Sequence, residues 1–151
     1  HMMIGEDNPI SGVAAGGVYH YKDGRTAPDT VNVLLEYPTG WTATFEGTLA
    51  PGVTGAGVEI CGTEGKLWIT RGRYEFTPAG RGATPTVVQS PRDQTIDHVE
   101  NFLDCCRTRK LPNGDVYIGH RSAAASHLGN ISYVQKRRLR YDPDREEILP
   151  L

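Results

Sequence analysis

A few side chains stand out for the chemistry their types and spacing could do. His120 and Arg121 are adjacent near the start of a stretch with helical spacing. A guanidinium beside an imidazole can bind sugar hydroxyls or a carboxylate; the same pair also fits helix packing with a surface ion pair. His127 follows His120 by seven residues, about two helical turns, so both imidazoles fall on roughly one face, the geometry of a two-His metal site. No carboxylate or Cys stands at ligand spacing to complete it, and no metal is expected. Arg25 lies in DGRTAPDT, a loop between strands. A loop on a rigid sheet can carry it to a ligand, or Asp23-Gly24 can simply form a solvated turn. Tyr19 and Tyr21 alternate with His20, which sends His20 to the opposite face and leaves one of the two faces to line a pocket.

Other strings invite a function and fail a physical test. Cys105 and Cys106 are adjacent on a helical pattern, where neighbours diverge by about 100°, and nothing nearby would lower a thiol pKa. Cys106 is expected in the core. The basic run Lys136-Arg137-Arg138-Leu139-Arg140 is followed at once by Asp142, Asp144, Glu146 and Glu147, which reads as a solvated helix end. Gly52 to Gly57 reads GVTGAG, but a dinucleotide site needs a strand, a Gly-rich turn and then a helix that meets the pyrophosphate. Here the next residues read as a strand.

The elements that must hold these side chains change period along the chain. Thr30 to Tyr37 alternates Val31, Val33, Leu35 and Tyr37 against Asn32, Leu34 and Glu36, and Trp41 to Gly47 alternates Trp41, Ala43 and Phe45 against Thr42, Thr44 and Glu46. With Pro38-Thr39-Gly40 between them they predict an antiparallel hairpin. Val58–Cys61 and Lys66–Thr70 flank Gly62-Thr63-Glu64-Gly65 as a second hairpin. Arg73–Phe76, Pro85–Ser90 and an early Gly17–Tyr21 complete six or seven strands. From Thr95 to Lys110, Ile96, Val99, Phe102, Leu103 and Cys106 recur at helical spacing, and basic residues gather at the carboxyl end. Pro112-Asn113-Gly114 ends this helix. Asp115 caps a second that runs to about Gln135 on a stripe of Val116, Ala123, Ala124, Leu128, Ile131 and Val134. Sheet first and helices after give an α+β fold: an open, mainly antiparallel β-sheet with two principal helices packed on one face. The sheet's other face then decides whether the chain self-associates.

The composition limits the partners. A chain of 151 residues suits one domain, and 18 Gly with 10 Pro imply many turns. A formal net charge of -2 gives no overall attraction for phosphate backbones or anionic bilayers, and no apolar run approaches the roughly 20 residues of a membrane span. Neither nucleic acid nor membrane is expected as a partner. Three Cys, two of them adjacent, do not form a secreted disulfide framework, which favours a reducing, cytoplasmic setting. His1-Met2 before Met3 looks like a cloning remnant, so residues 1–3 stand outside the fold proper, residues 4–141 form the domain, and residues 142–151, with two prolines and mixed charge, form a mobile tail.

Several strings carry a resemblance: PDTVNVLLEYPTGWTATFEG, the turn GTEGKLWI, and HVENFLDCCRTRKLPNGDVYIGHRSAAASHLGNISYVQKRRLRYDPDREE. Over about Pro9 to Glu147 the chain resembles the second domain of the Gfo/Idh/MocA oxidoreductases, glucose-fructose oxidoreductase and inositol dehydrogenase among them. It is most like a subgroup in which the helix pair precedes a WDP-like tail, here Tyr141-Asp142-Pro143. The resemblance implies a parent with an amino-terminal Rossmann domain that binds NAD or NADP, and a carboxy-terminal domain whose open sheet helps form the pocket for a sugar, cyclitol or polyol and builds a homo-oligomer. Neither the family's EKP-like Lys nor its helical Asp and His occurs here; they would lie upstream. This chain is therefore expected to bind no cofactor and to be inactive alone, contributing His120, Arg121, Arg25 and Tyr19 as candidate substrate contacts. The alternative is a stand-alone, non-catalytic sugar-binding or assembly module.

Overall fold

The structure, a computed structural model, describes residues 1, 3–52 and 55–150. The chain divides into two compact units, His1–Val53 with Gly114–Leu151, and Thr54–Asn113. The expected α+β class and antiparallel pairing hold, and the strands sort into two sheets instead of one, with one helix in each unit.

The first unit is built on β1 (Ser11–Gly17), β2 (Thr30–Glu36), β3 (Thr42–Thr48), β8 (Leu139–Asp142) and β9 (Glu147–Leu149), in the order β3-β2-β1-β8-β9. All neighbours are antiparallel. The β2–β3 hairpin follows the predicted alternation, with Leu35 opposite Ala43 and Val33 opposite Phe45. The early strand runs from Ser11 to Gly17 and not from Gly17 to Tyr21. Its sequence SGVAAGG has little alternation to read, because its small residues answer a different demand: the helix α2 (Val116–Gln135) lies directly over them. A Cβ on Gly12 would stand 3.1 Å from Leu128 Cγ and 3.0 Å from Leu35 Cδ2.

Asp115 caps α2 as expected, its carboxylate accepting the N–H groups of Tyr117 (2.7 Å) and Ile118 (2.9 Å). The buried face of α2 is Ala125, Leu128, Gly129 and Ser132. Only Leu128 of the predicted stripe is buried; Val116 is 89% and Val134 68% exposed. The helix faces the sheet through small residues, and Gly129 sits so close that an added Cβ would lie 2.7 Å from Val33 Cγ1. Ser132 closes the seam by hydrogen bonding, since its hydroxyl accepts the Ala14 N–H (3.0 Å) and donates to the Arg137 carbonyl (2.6 Å). Strand β8 pairs with β1 only at Ser11 and Gly12, so Ser132 serves a backbone donor that the ladder does not reach.

Past α2, Lys136 turns the chain in the left-handed region (φ 54°), Leu139 is fully buried, and the expected loose tail instead forms the β8–β9 hairpin. The basic run is thus part helix cap and part strand. The second unit holds β4 (Val58–Gly62), β5 (Gly65–Ile69), β6 (Arg73–Pro78) and β7 (Thr86–Gln89) as a meander, with α1 (Gln94–Thr108). Asp93 caps α1 by accepting the Thr95 N–H (2.9 Å). No residue of α1 is buried; Ile96, Val99, Phe102 and Leu103 are exposed, and Cys106, expected in the core, is exposed too. Among the described residues no helix is long and apolar enough to cross a membrane.

Candidate functional site

Helix α2 covers one face of the five-stranded sheet, the face of Gly12, Ala14, Val33, Leu35 and Leu139. Directly paired residues share a face, so the opposite face collects Ser11, Glu36 and Arg140: Ser11 pairs with Glu36 across β1–β2 and with Arg140 across β1–β8. Arg138 reaches into the same row. Its guanidinium donates to Ser11 Oγ (3.2 Å) and pairs with Glu36, and the Ser11 hydroxyl donates to Glu36 as well. The Ser11 hydroxyl, backed by the Arg138 charge, holds the Glu36 carboxyl below its ordinary range against the cost of burial. These groups border a hollow of about 510 Å³, with Ile10 and Leu149 as apolar walls.

The residues nominated from sequence fall elsewhere in this unit. His120 Nε2 lies 2.8 Å from Glu146 Oε1, tying α2 to the β8–β9 turn, and both side chains are about half exposed. Arg121 stacks on Tyr117, 4.4 Å from the ring centroid, and donates to its hydroxyl. Both keep the ion-pair and packing roles open to them. Arg25 forms a two-pronged pair with Asp23 (2.9 and 2.6 Å) and lies 4.2 Å over the Tyr21 ring. Chiefly through that hydrogen-bonded pair, Asp23 is pulled down to about 2. Gly24 takes φ 82°, so Asp23-Gly24 is the turn. Tyr19 is 65% exposed. No hydrogen bond or salt bridge among the described residues joins the Tyr19–Arg25 pair to the His120–Arg121 pair. Nor do three or more His, Cys, Asp or Glu converge there as a metal site.

The loop that carries Tyr19 and Arg25 is anchored by a residue that sequence reading passed over. Asp29 is 2% exposed and accepts the backbone N–H groups of Tyr19 (3.1 Å), His20 (2.9 Å) and Tyr21 (3.0 Å), with the Thr30 hydroxyl at 3.1 Å. Those donors, led by Tyr21, hold its carboxyl far below the usual range despite burial. Consecutive N–H groups converge on one carboxylate only because residues 19–21 are not in a strand. At the other end of β2, Tyr37 stacks on Trp41 at 3.7 Å between ring centroids. Burial, then the nearby Glu6 and Asp7 charges, push its phenol up to about 12. His1, expected as a remnant, meets that hydroxyl at 2.6 Å.

Of the GVTGAG stretch, Val53 and Thr54 lie outside the described residues, and strand β4 follows it. It therefore lacks the helix amino terminus on which a dinucleotide pyrophosphate rests.

No protein-family model and no curated protein matches this sequence. Solved structures do match the fold. An oxidoreductase from Agrobacterium radiobacter, in complex with NAD+, L-tartaric acid and magnesium, superposes with a TM-score of 0.68 at 15% identity, over 88% of this chain and 43% of that one. An NAD binding oxidoreductase from Klebsiella pneumoniae gives 0.71 at 12% identity, over 88% and 45%. The WlbA dehydrogenase from Bordetella pertussis, in complex with NADH and UDP-GlcNAcA, gives 0.59 at 14%, over 95% and 40%. The chain thus has a fold found within NAD-binding oxidoreductases of the Gfo/Idh/MocA type and spans less than half the length of each of these three structures.

Proposed function

We propose that this chain is the carboxy-terminal, sheet-bearing part of a cytoplasmic NAD- or NADP-dependent oxidoreductase of the Gfo/Idh/MocA type, acting on a sugar, cyclitol or polyol. The observation that carries this reading is the fold match: nearly all of this chain superposes on less than half of several NAD-binding oxidoreductases. In this reading the dinucleotide site and the acid–base residues belong to the remainder of the parent. This part supplies substrate contacts and a self-association surface. Tyr19 and Arg25 on the anchored loop, and His120 and Arg121 on α2, are the side chains offered to substrate hydroxyls. A second copy packs on the sheet face away from α2, where Val13 is 37% and Leu34 38% exposed. Nucleic acid and membranes have no part in it.

The test is a calorimetric titration of the whole parent protein with NAD and NADP, with nicotinamide fluorescence following any reduction. Binding of one of them, with reduction in the presence of a polyol, is expected. A parent that binds neither overturns the proposal. Leu34→Arg should shift the chain's mass in solution toward a monomer; an unchanged mass refutes the association surface.

A further inference from the structure

We infer that two copies of the chain meet on the sheet face away from α2 about a two-fold axis diagonal to the strands, with Arg140 of each copy paired to Glu46 of the other. This rests on the self-association reading above and adds to it the orientation and contacts of the partner.

The strand register fixes where each side chain stands on this face. Arg140 lies at the β8 end of the Ser11 row, Glu46 at the β3 end of the Ala15 row, and Val13 and Leu34 sit side by side in the row between. Arg140 and Glu46 are three strand spacings and four residues apart, about 14 Å in each direction. They are opposite corners of a near-square patch whose centre falls between Val13 and Leu34. Their charges are the ones left over. Arg138 and Glu36 neutralise each other, and in the β8–β9 hairpin Asp142 accepts the N–H groups of Asp144 and Arg145 while Glu147 pairs with Arg145. The side chains of Arg140 and Glu46 are exposed and have no hydrogen bond or salt bridge among the described residues.

Symmetry then selects the arrangement. When two identical faces meet, the two-fold axis lies in the plane between the sheets and every contact occurs twice. An axis along the other diagonal of the patch exchanges its charged corners. Arg140 then meets Glu46 of the partner subunit at both ends, and the strands of the two sheets cross at nearly a right angle, one of the two usual sheet packings. An axis parallel to the strands sets Arg140 over Thr42, and an axis perpendicular to them carries it past the start of β8. Either one desolvates both charges without a partner, which is costly. Along the diagonal axis Val13 and Leu34 pack on their own copies. The same operation lays Val13 over a shallow hollow of about 210 Å³ bordered by Ala15, Leu34 and Thr44. The contact thus has an apolar centre and a charged rim, as stable interfaces do.

Sedimentation equilibrium of the 151-residue chain and its charge-reversal variants tests the inference. The unsubstituted chain should dimerise. Arg140→Glu and Glu46→Arg each set like charges together twice and should each raise the dissociation constant at least about tenfold. The double variant restores both pairs in reversed order and should return to within about threefold of the unsubstituted chain. Both positions are exposed, so far-ultraviolet circular dichroism should be unchanged in all three variants. A double variant that recovers nothing, or a dimer indifferent to all three, overturns the pairing. If Leu34→Arg dissociates a dimer that the charge reversals leave alone, the face is right and the diagonal arrangement is wrong. An unsubstituted chain that stays monomeric at about 1 mM sinks both the pairing and the association surface.

Discussion

Replacing Gly129 with Ala sets two effects of opposite sign against each other, and the structure decides between them. On an open helix surface the change gains about 1 kcal/mol, because Gly gives up more backbone freedom than Ala. Here the new methyl would stand 2.7 Å from Val33 Cγ1 and 3.0 Å from Cγ2, well inside the separation of about 3.5–4.0 Å at which carbon atoms attract. Val33 cannot swing aside cheaply, since a β-branched side chain in a strand is stiff at χ1. Lifting α2 instead would stretch the bond from the Ala14 N–H to Ser132 and unseat Leu128, which is 2% exposed. Overpacking of this kind costs about 1–3 kcal/mol, so the expected net effect is a loss of about 1 kcal/mol. In urea that lowers the midpoint by about 0.3–1 M, and the Ala14 amide should exchange faster with solvent. The control is the same change in a Val33→Ala background. With the methyls gone only the propensity effect remains, and Gly129→Ala should become stabilising, a coupling of about 2 kcal/mol. If Gly129→Ala stabilises both backgrounds equally, α2 does not lie against the sheet through a glycine seam.

Three further outcomes follow from the same unit. Leu139→Ala empties a fully buried site and should cost about 2–5 kcal/mol in urea unfolding; a change within 0.5 kcal/mol would mean that β8 is not seated. Asp29 has a depressed folded pKa, so its stabilisation is present above the unfolded carboxyl value of about 3.9 and is lost as pH falls. Thermal melts of Asp29→Asn should therefore show a shallower fall toward acid pH than the parent sequence, and parallel curves would refute the anchor. Tyr37 behaves oppositely: raised to about 12 when folded, it contributes below the unfolded value of about 10 and loses that contribution as pH climbs between the two. Tyr37→Phe should lack that alkaline decline, which thermal melts of both proteins across the same alkaline range will show.

What the sequence disclosed about the fold depended on whether a residue's neighbours were local. The β2–β3 and β4–β5 hairpins and both helices were legible, because alternation, turn glycines and the Asp115 cap act over a few positions. Strand β1 was misplaced because SGVAAGG is chosen for closeness to α2, more than a hundred residues away, and carries no period of its own. The α2 stripe departs from expectation for the same reason: of Val116, Ala123, Ala124, Leu128, Ile131 and Val134 only Leu128 is buried, and beside it the helix meets the sheet through Ala125, Gly129 and Ser132. The tail looked loose by composition, yet β9 pairs with β8, which β1 in turn holds in place.

The site shows the limit more sharply. His120, Arg121, Arg25 and Tyr19 attract notice because of their types, and each is placed beside a local or surface partner. Ser11, Glu36 and Arg138 are unremarkable as types and are separated by up to 127 positions. Only the register of β1 with β2 and β8 turns them into one cluster. A weak signal was present: Glu36 falls on the polar side of an otherwise apolar strand, and a carboxylate on a sheet face calls for a positive partner on an adjoining strand or beside it. The basic run after α2 supplies that partner, and the same run supplies Arg140, whose charge no carboxylate among the described residues takes up. A stretch read as a solvated helix end is in this way the electrostatic half of the row that the strand pairing completes.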